Sequence, residues 1–299
     1  MQVFNGIGFA KRQLSELKQR VDRLRAGGVR LKIVSLVFGE DAGSRLYTKF
    51  KQQAAGEAGI EFQPVWLSLA DSPEKIIKQI QTANRNCQVT GVMIQKPAQK
   101  VWQASCQPST PVPLFSQWWQ SLVAVIDPDK DVDGLHPSTL RAIKNKRWQE
   151  RGRVLPATAQ AVLDILNQSP LPVSHLVTQT DLKVVVIGRS EIVGLPIYYE
   201  LSNRGAQVLL LGRAELAQRI QSGQLLLDAD VVISATGMPG LIKGPMLKQG
   251  VILIDVGEPK PDVDMASVTT QASFLTPVPG GVGPVTVACL MKNVLTMVQ

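Results

Sequence analysis

Leu182-Lys-Val-Val-Val-Ile-Gly-Arg-Ser-Glu-Ile-Val-Gly194 is the stretch that decides the fold of this 299-residue chain. Val184 to Ile187 is an unbroken apolar, β-branched run, the pattern of a strand buried on both faces of a parallel sheet. A turn bounded by Gly188 and Gly194 follows, and Val193 to Arg204 then reads as a helix. Strand, glycine turn and helix open a dinucleotide-binding βαβ unit. The turn departs from G-x-G-x-x-G because Ser190 stands at the second glycine position.

The surroundings strengthen the reading. Gln207 to Leu211, Val231 to Ala235 and Val251 to Val256 read as further strands, and Leu216 to Ser222 as a short helix. An NAD site wants an acidic residue just after the second strand, to accept from the ribose 2′-OH. Here that place is Gly212-Arg213. Arg213 and Arg189 suit a 2′-phosphate through charge-assisted hydrogen bonds, so the cofactor read from the sequence is NADP; two surface arginines are the plain alternative. Gly188, Arg189, Ser190, Val193, Gly194, Arg213, Thr236, Gly237 and Gly283 make up the candidate cofactor set.

The first half shows the same alternation. Apolar residues from Ile7 to Arg25 (Phe9, Leu14, Leu17, Val21 and Leu24) form a helical stripe that ends at Gly27-Gly28. Leu31 to Phe38 is a strand, Ser44 a candidate N-cap for a helix reaching Gly59, Phe62 to Leu67 a strand, Pro73 to Ala83 a helix and Val89 to Ile94 a strand. Lys96 to Pro113 reads as irregular, Phe115 to Val125 as a helix, and Asp127 to Gly134 as a loop too polar for a core. A domain junction belongs in or just after the basic stretch Arg141 to Arg153. The expected fold is therefore α/β with two domains and a cleft between them. Residues 1–150 form an α/β substrate domain and 151–283 a Rossmann-type nucleotide domain, with a C-terminal helix (284–299) packing back onto the first.

Before that last helix lies Thr276-Pro-Val-Pro-Gly-Gly-Val-Gly-Pro284. Its glycines permit close backbone approach and its prolines stiffen the loop, so backbone N–H groups can meet a ligand ahead of the helix. A tight turn is the bland alternative.

Composition narrows the class. The chain is 44% hydrophobic with a net charge of +8, and its basic residues are spread instead of clustered. With aromatics at 5% and no RNA-binding signature, no nucleic-acid partner is expected. No apolar run reaches the ~18 residues of a membrane span, and no apolar signal-peptide core opens the chain. Cys87, Cys106 and Cys289 stand apart and read as reduced thiols of a cytoplasmic protein. Two histidines are too few for a His-rich metal site, and no metal is expected.

Residues able to carry chemistry are few. Tyr47 and Lys51 share one helical face. A flat ring beside a lysine in a partly dry site suits proton transfer near neutral pH; spacing alone favours a solvated lysine beside a half-buried tyrosine. Gln95 ends an apolar strand, where open α/β sheets place ligands, and Asp133 closes the acidic loop.

Taken together these stretches resemble, nearly end to end, the bifunctional methylenetetrahydrofolate dehydrogenase/cyclohydrolase family. The resemblance is carried by Tyr47-x-x-x-Lys51, Gly91-Val-Met-Ile-Gln-Lys-Pro97, Pro128-Asp-Lys-Asp-Val-Asp-Gly134, Gly188-Arg-Ser-x-x-Val-Gly-x-Pro196 and the Thr276 to Pro284 loop. It implies NADP-dependent oxidation of 5,10-methylenetetrahydrofolate to the 5,10-methenyl form and its hydrolysis to 10-formyltetrahydrofolate. It also implies a homodimer joined through the nucleotide domains. Lys51 would be the catalytic lysine, Gln95 its tuning partner, Tyr47 the ring that stacks on folate and Asp133 the pterin acceptor. Pro279, Gly280 and Gly281 would join Tyr47 and Asp133 in binding substrate.

Several positions depart from the family pattern. Lys96 stands where a leucine is usual, a second cation whose charge would lower the pKa of Lys51. Pro156 to Ala161 lacks the usual Pro-Cys-Thr-Pro, Gln53 replaces a frequent lysine, and Gln99 to Gln117 is long and proline-rich. The alternative these departures leave open is a non-catalytic relative that binds NADP or folate as a regulator or scaffold.

Overall fold

The structure, a computed structural model, describes residues 1–105, 114–149, 153–179 and 181–298. Along the chain run β1 (Gln2–Val3), α1 (Gly6–Ala26), β2 (Lys32–Phe38), α2 (Ala42–Ala58), β3 (Glu61–Leu67), α3 (Pro73–Arg85), β4 (Gly91–Ile94), α4 (Gln99–Ser105), α5 (Phe115–Val123) and α6 (Pro137–Lys144). There follow α7 (Ala157–Leu166), α8 (Val173–Thr178), β5 (Lys183–Ile187), α9 (Gly194–Arg204), β6 (Gln207–Leu211), α10 (Arg213–Gln221) and β7 (Val231–Ser234). The last elements are β8 (Val251–Asp255), α11 (Met265–Val268), β9 (Ala272–Leu275) and α12 (Val282–Thr296).

Two compact units result. The N-terminal unit comprises Arg12–Arg141, Trp148–Val154 and Leu290–Gln299; the C-terminal unit comprises Leu155–Cys289 with Met1–Lys11 and Ala142–Arg147. The first eleven residues thus join the C-terminal unit, because β1 pairs with β9 (Gln2 opposite Phe274) and Phe4 packs on Phe274.

The N-terminal unit holds a parallel sheet in the order β3-β2-β4. β2 is its centre, and Leu36, Val37 and Phe38 are fully buried. Leu36, Ile76, Ile80, Val92, Ile94 and Leu122 belong to one core cluster. α2 starts at Asp41, not Ser44: the Asp41 carboxylate accepts the Ser44 N–H at 2.8 Å, the N-cap geometry that leaves Ser44 inside the first turn. Part of the segment read as irregular is helical. α4 forms because Trp102 buries its indole against Phe115 and Trp118, at 5.2 and 5.6 Å between ring centroids. Cys106 and the prolines at 108, 111 and 113 lie outside the described residues. α6 has no clear apolar stripe in the sequence, its few apolar residues being diluted by basic ones.

The C-terminal unit holds a six-stranded parallel sheet, β1-β9-β8-β7-β5-β6. Val185, Ile187, Val232 and Leu253 share one core with Leu275. The two outer strands on one side, β1 and β9, carry too few residues for alternation to reveal them in sequence. They form because β8 offers an open edge for β9, and β9 offers one for β1.

Candidate functional site

The N-terminal unit gathers Lys51, Gln95 and Asp133. α2 and β4 set the first two: Lys51 Nζ donates to Gln95 Oε1 at 2.8 Å, and the Gln95 N–H donates to Leu36 O at 2.8 Å, tying the end of β4 to the centre of the sheet. Lys51 is buried, and desolvation pushes its pKa below the ordinary lysine value, while the Asp133 charge acts in the opposite direction. A neutral amine is thereby favoured. Tyr47 is half-buried one turn earlier on α2 and meets Phe50 edge to face at 6.1 Å.

The acidic loop is anchored more deeply than its polarity foretold. Val92 N–H donates to Lys130 O at 2.7 Å, so residues around Asp131 run beside β4 like a short extra strand. Asp131 and Val132 are buried. The Asp131 carboxylate accepts the N–H groups of Leu135 at 3.1 Å and His136 at 2.7 Å, and burial raises its pKa to about 6. Asn293 Nδ2 of α12 donates to Val132 O at 2.9 Å. This approach requires Gly91, where an added Cβ would stand 2.3 Å from Val132 Cγ1. Asp133 therefore owes its place to Gly91 and Asp131. The burial of Asp131 had no signal in the sequence, where it is one acid of a polar loop.

Lys96 follows Gln95, but its ammonium lies over the rings of Phe115 and Trp119, 5.4 and 5.5 Å from their centroids. Burial is the leading cause of the lowered Lys51 pKa. The second-cation effect expected of Lys96 is not needed for it.

In the C-terminal unit the strand–turn–helix forms as read. Gly188 has φ +116°, and a Cβ there would meet Ala235 O at 2.3 Å; one on Gly194 would meet Gly188 O at 1.8 Å. Only glycines close this turn. Ser190 Oγ accepts from the N–H groups of Val193 at 3.2 Å and Gly194 at 3.4 Å, so the serine braces the helix entrance in place of the missing glycine. Arg189 pairs with Glu215 (2.7 Å), and Arg213 Nη2 donates to Thr236 O at 3.3 Å. The sequence reading missed Glu215, although a glutamate three residues after Gly212 has the spacing of a capping box.

Thr236 and Gly237 follow β7. The Thr236 N–H donates to Asp262 Oδ2 at 2.7 Å, and Ser234 Oγ donates to the same atom at 2.9 Å. Asp262 is fully buried, as is Asp255, whose pKa burial raises to about 6. Asp255 Oδ1 accepts the Gly257 N–H at 2.7 Å. These two acids, also missed in sequence, brace the loops at the ends of β7 and β8.

The glycine-rich loop is held from both ends. The Asp255 N–H donates to Thr276 Oγ1 at 2.7 Å, and a Cβ on Gly6 would meet Gly281 O at 2.0 Å. Pro279 is exposed, Gly280 has φ +98°, and Gly283 lies in the first turn of α12. Pro279, Gly280, Gly281 and Gly283 belong to the C-terminal unit, apart from the Lys51 group in sequence and in unit. The nucleotide candidates fit an anionic dinucleotide: a glycine turn at a helix entrance, exposed guanidinium groups and free strand ends of a parallel sheet.

Comparison with known proteins agrees with this geometry. The family model for the tetrahydrofolate dehydrogenase/cyclohydrolase catalytic domain matches residues 4–107, and that for its NAD(P)-binding domain matches residues 156–299. The bifunctional protein FolD of Lactobacillus helveticus is 32% identical over 305 residues, spanning 100% of this chain and 98% of that protein. Among solved structures, the FolD dehydrogenase/cyclohydrolase of Campylobacter jejuni superposes with a TM-score of 0.83 at 27% identity, covering 99% of this chain and 98% of its own. The enzyme of Trypanosoma brucei, solved with NADP cofactor and an inhibitor, gives 0.83 at 30% identity, covering 99% and 96%. By its fold, its motifs and these matches, the chain belongs to the tetrahydrofolate dehydrogenase/cyclohydrolase family.

Proposed function

We propose that this chain oxidises 5,10-methylenetetrahydrofolate with NADP and hydrolyses the methenyl product to 10-formyltetrahydrofolate, with Lys51 as the group that moves the proton. The observation that carries the assignment is the buried Lys51 amine, held 2.8 Å from Gln95 Oε1 and with a lowered pKa. A neutral amine can act as a general base at neutral pH, which an ordinary solvated lysine cannot.

The nucleotide supplies the carbon that accepts the hydride. Gly188, Ser190, Val193 and Gly194 shape the turn that receives its phosphates, with Arg189 and Arg213 for the 2′-phosphate. Thr236, Gly237 and Gly283 complete that set. Tyr47 stacks on the folate ring, Asp133 accepts from the pterin N–H groups, and Pro279, Gly280 and Gly281 offer backbone to the substrate.

In hydrolysis, water adds to the methenyl carbon and gives a proton to Lys51 in its neutral form. Gln95 orients that amine through its Oε1. The bond from the one-carbon unit to N5 then breaks, Lys51 returns the proton to N5, and the hydroxyl proton leaves to solvent. The formyl group stays on N10, and one proton is released in net.

The frame for these roles is a folate-binding part, residues 1–150 with helix 284–299, and a nucleotide part, 151–283, with Met1–Lys11, Ala142–Arg147 and the helix as far as Cys289 packing in the C-terminal unit. The Asn293 bond to Val132 O supports the placement of the last helix. Family membership supports a homodimer joined through the nucleotide part, as does the exposed Leu209 on edge strand β6, and it supports a cytoplasmic location.

The test is an absorbance assay with methylenetetrahydrofolate and either NADP or NAD, following NADPH and methenyl signals separately. Turnover with NADP and a transient methenyl signal is expected. Binding of both ligands with no turnover would leave the regulator or scaffold reading standing instead.

A further inference from the structure

Glu215 brings an anion to the place where the arginines were expected to meet one. It is the third residue of α10, and both of its oxygens are engaged. Oε1 pairs with Arg189 Nη2 at 2.7 Å, and Oε2 accepts the Gly212 N–H at 3.1 Å. Those donors come from two different strand ends: Arg189 follows β5, and Gly212 follows β6. A guanidinium and a backbone N–H at a helix entrance are the partners that a phosphate monoester would take. The fit is close. A Cβ on Gly212 would stand 2.7 Å from Glu215 Oε2 and 3.3 Å from Arg189 Nε, so the glycine makes room for the carboxylate.

We propose that Glu215 is a specificity-determining residue that narrows the discrimination between NADP and NAD. The inference rests on the nucleotide reading above. Its carboxylate competes with the 2′-phosphate for Arg189 and for the Gly212 N–H. When the phosphate is absent, the same carboxylate accepts from the ribose 2′-OH, the role an acidic residue plays after this strand in NAD sites. The Arg189 and Glu215 side chains are 51% and 40% exposed, so water screens their attraction and the pair opens at small cost. NADP therefore still binds, but against an internal competitor and beside a like charge. Arg213 is the second cation of the subsite, with its Nη2 resting on Thr236 O at 3.3 Å.

Glu215→Gln separates charge from shape, because the amide oxygen still accepts the Gly212 N–H. The full chain, wild type and variant, is titrated calorimetrically with NADP, NAD, 2′,5′-ADP and 5′-AMP, and thermal melting verifies the fold. The variant is expected to bind NADP and 2′,5′-ADP about two- to fivefold more tightly, the range of one exposed charge pair. NAD and 5′-AMP are expected to bind no more tightly than before. Glu215→Thr, which keeps a helix-compatible side chain without the charge, shifts the ratio in the same direction. An unchanged NADP-to-NAD ratio in both variants overturns the role of Glu215 and leaves the nucleotide reading intact. A wild-type chain that binds neither NADP nor NAD overturns the nucleotide reading itself.

Discussion

Lys51 shows how one residue's surroundings change its chemistry. Desolvation outweighs the Asp133 charge and leaves the amine readier to lose its proton than a surface lysine. Lys51→Met is expected to cut hydrolysis by about 10²- to 10⁴-fold, the usual range for losing a positioned acid–base group. NADP binding, measured by titration, stays at the wild-type level. A stability effect accompanies it. Below its folded pKa Lys51 must bury an ammonium, so the native state bears the full penalty there; the penalty fades as pH rises from that value to the ordinary lysine pKa of ~10.4. Denaturant titrations should therefore show wild type gaining on Lys51→Met as pH rises through that window. A difference between the two that is flat in pH would remove the buried-amine account.

At the scale of elements, β4 and the loop beside it work together. Gly91 admits Val132, Asp131 gathers the N–H groups of Leu135 and His136, and Asp133 follows from both. Gly91→Ala places a methyl group where Val132 stands. It should cost about 1–3 kcal/mol of stability, as overpacking does, and lower hydrolysis by shifting Asp133. Circular dichroism melts together with the methenyl assay test this. Asp131→Asn brings an NH₂ group against two N–H donors and is expected to destabilise at every pH. Because burial raises the wild-type carboxyl to about 6, its stabilising contribution is full below the ordinary aspartate pKa of ~3.9 and is lost as pH rises through about 6. The gap between wild type and variant should thus narrow from pH 4 to pH 7. A gap that widens over that range would contradict the burial.

Among the described residues one core lies around β2 and β4 and another around β5, β7 and β8. Nucleotide binds only one of the two units in the assignment above. At about 100 times its Kd, NADP adds about 2.7 kcal/mol to the state that binds it. Calorimetry with and without NADP is expected to show the transition of the C-terminal unit rising. A rise of a single coincident transition would mean that both units unfold as one.

The sequence by itself determined the long elements and nominated the residues proposed to carry the chemistry. Runs such as Val184 to Ile187 and the stripe of α1 fix strand or helix through their own periodicity, and Gly188 and Gly194 announce a turn that admits no side chain. Tyr47, Lys51, Gln95 and Asp133 were legible through motif order. Tertiary structure alone decided what depends on partners distant in the chain. β1 and β9 exist because an open sheet edge offers hydrogen bonds to segments too short to show a strand pattern of their own. α4 exists because Trp102 finds Phe115 and Trp118, and Lys96 turns to aromatic rings because they lie within reach. Asp131, Asp255 and Asp262 look like solvated acids in the sequence, yet folding buries each and brings it at least one backbone N–H donor. Local pattern encodes what a segment can satisfy alone; burial and electrostatics come from neighbours that only the fold brings together.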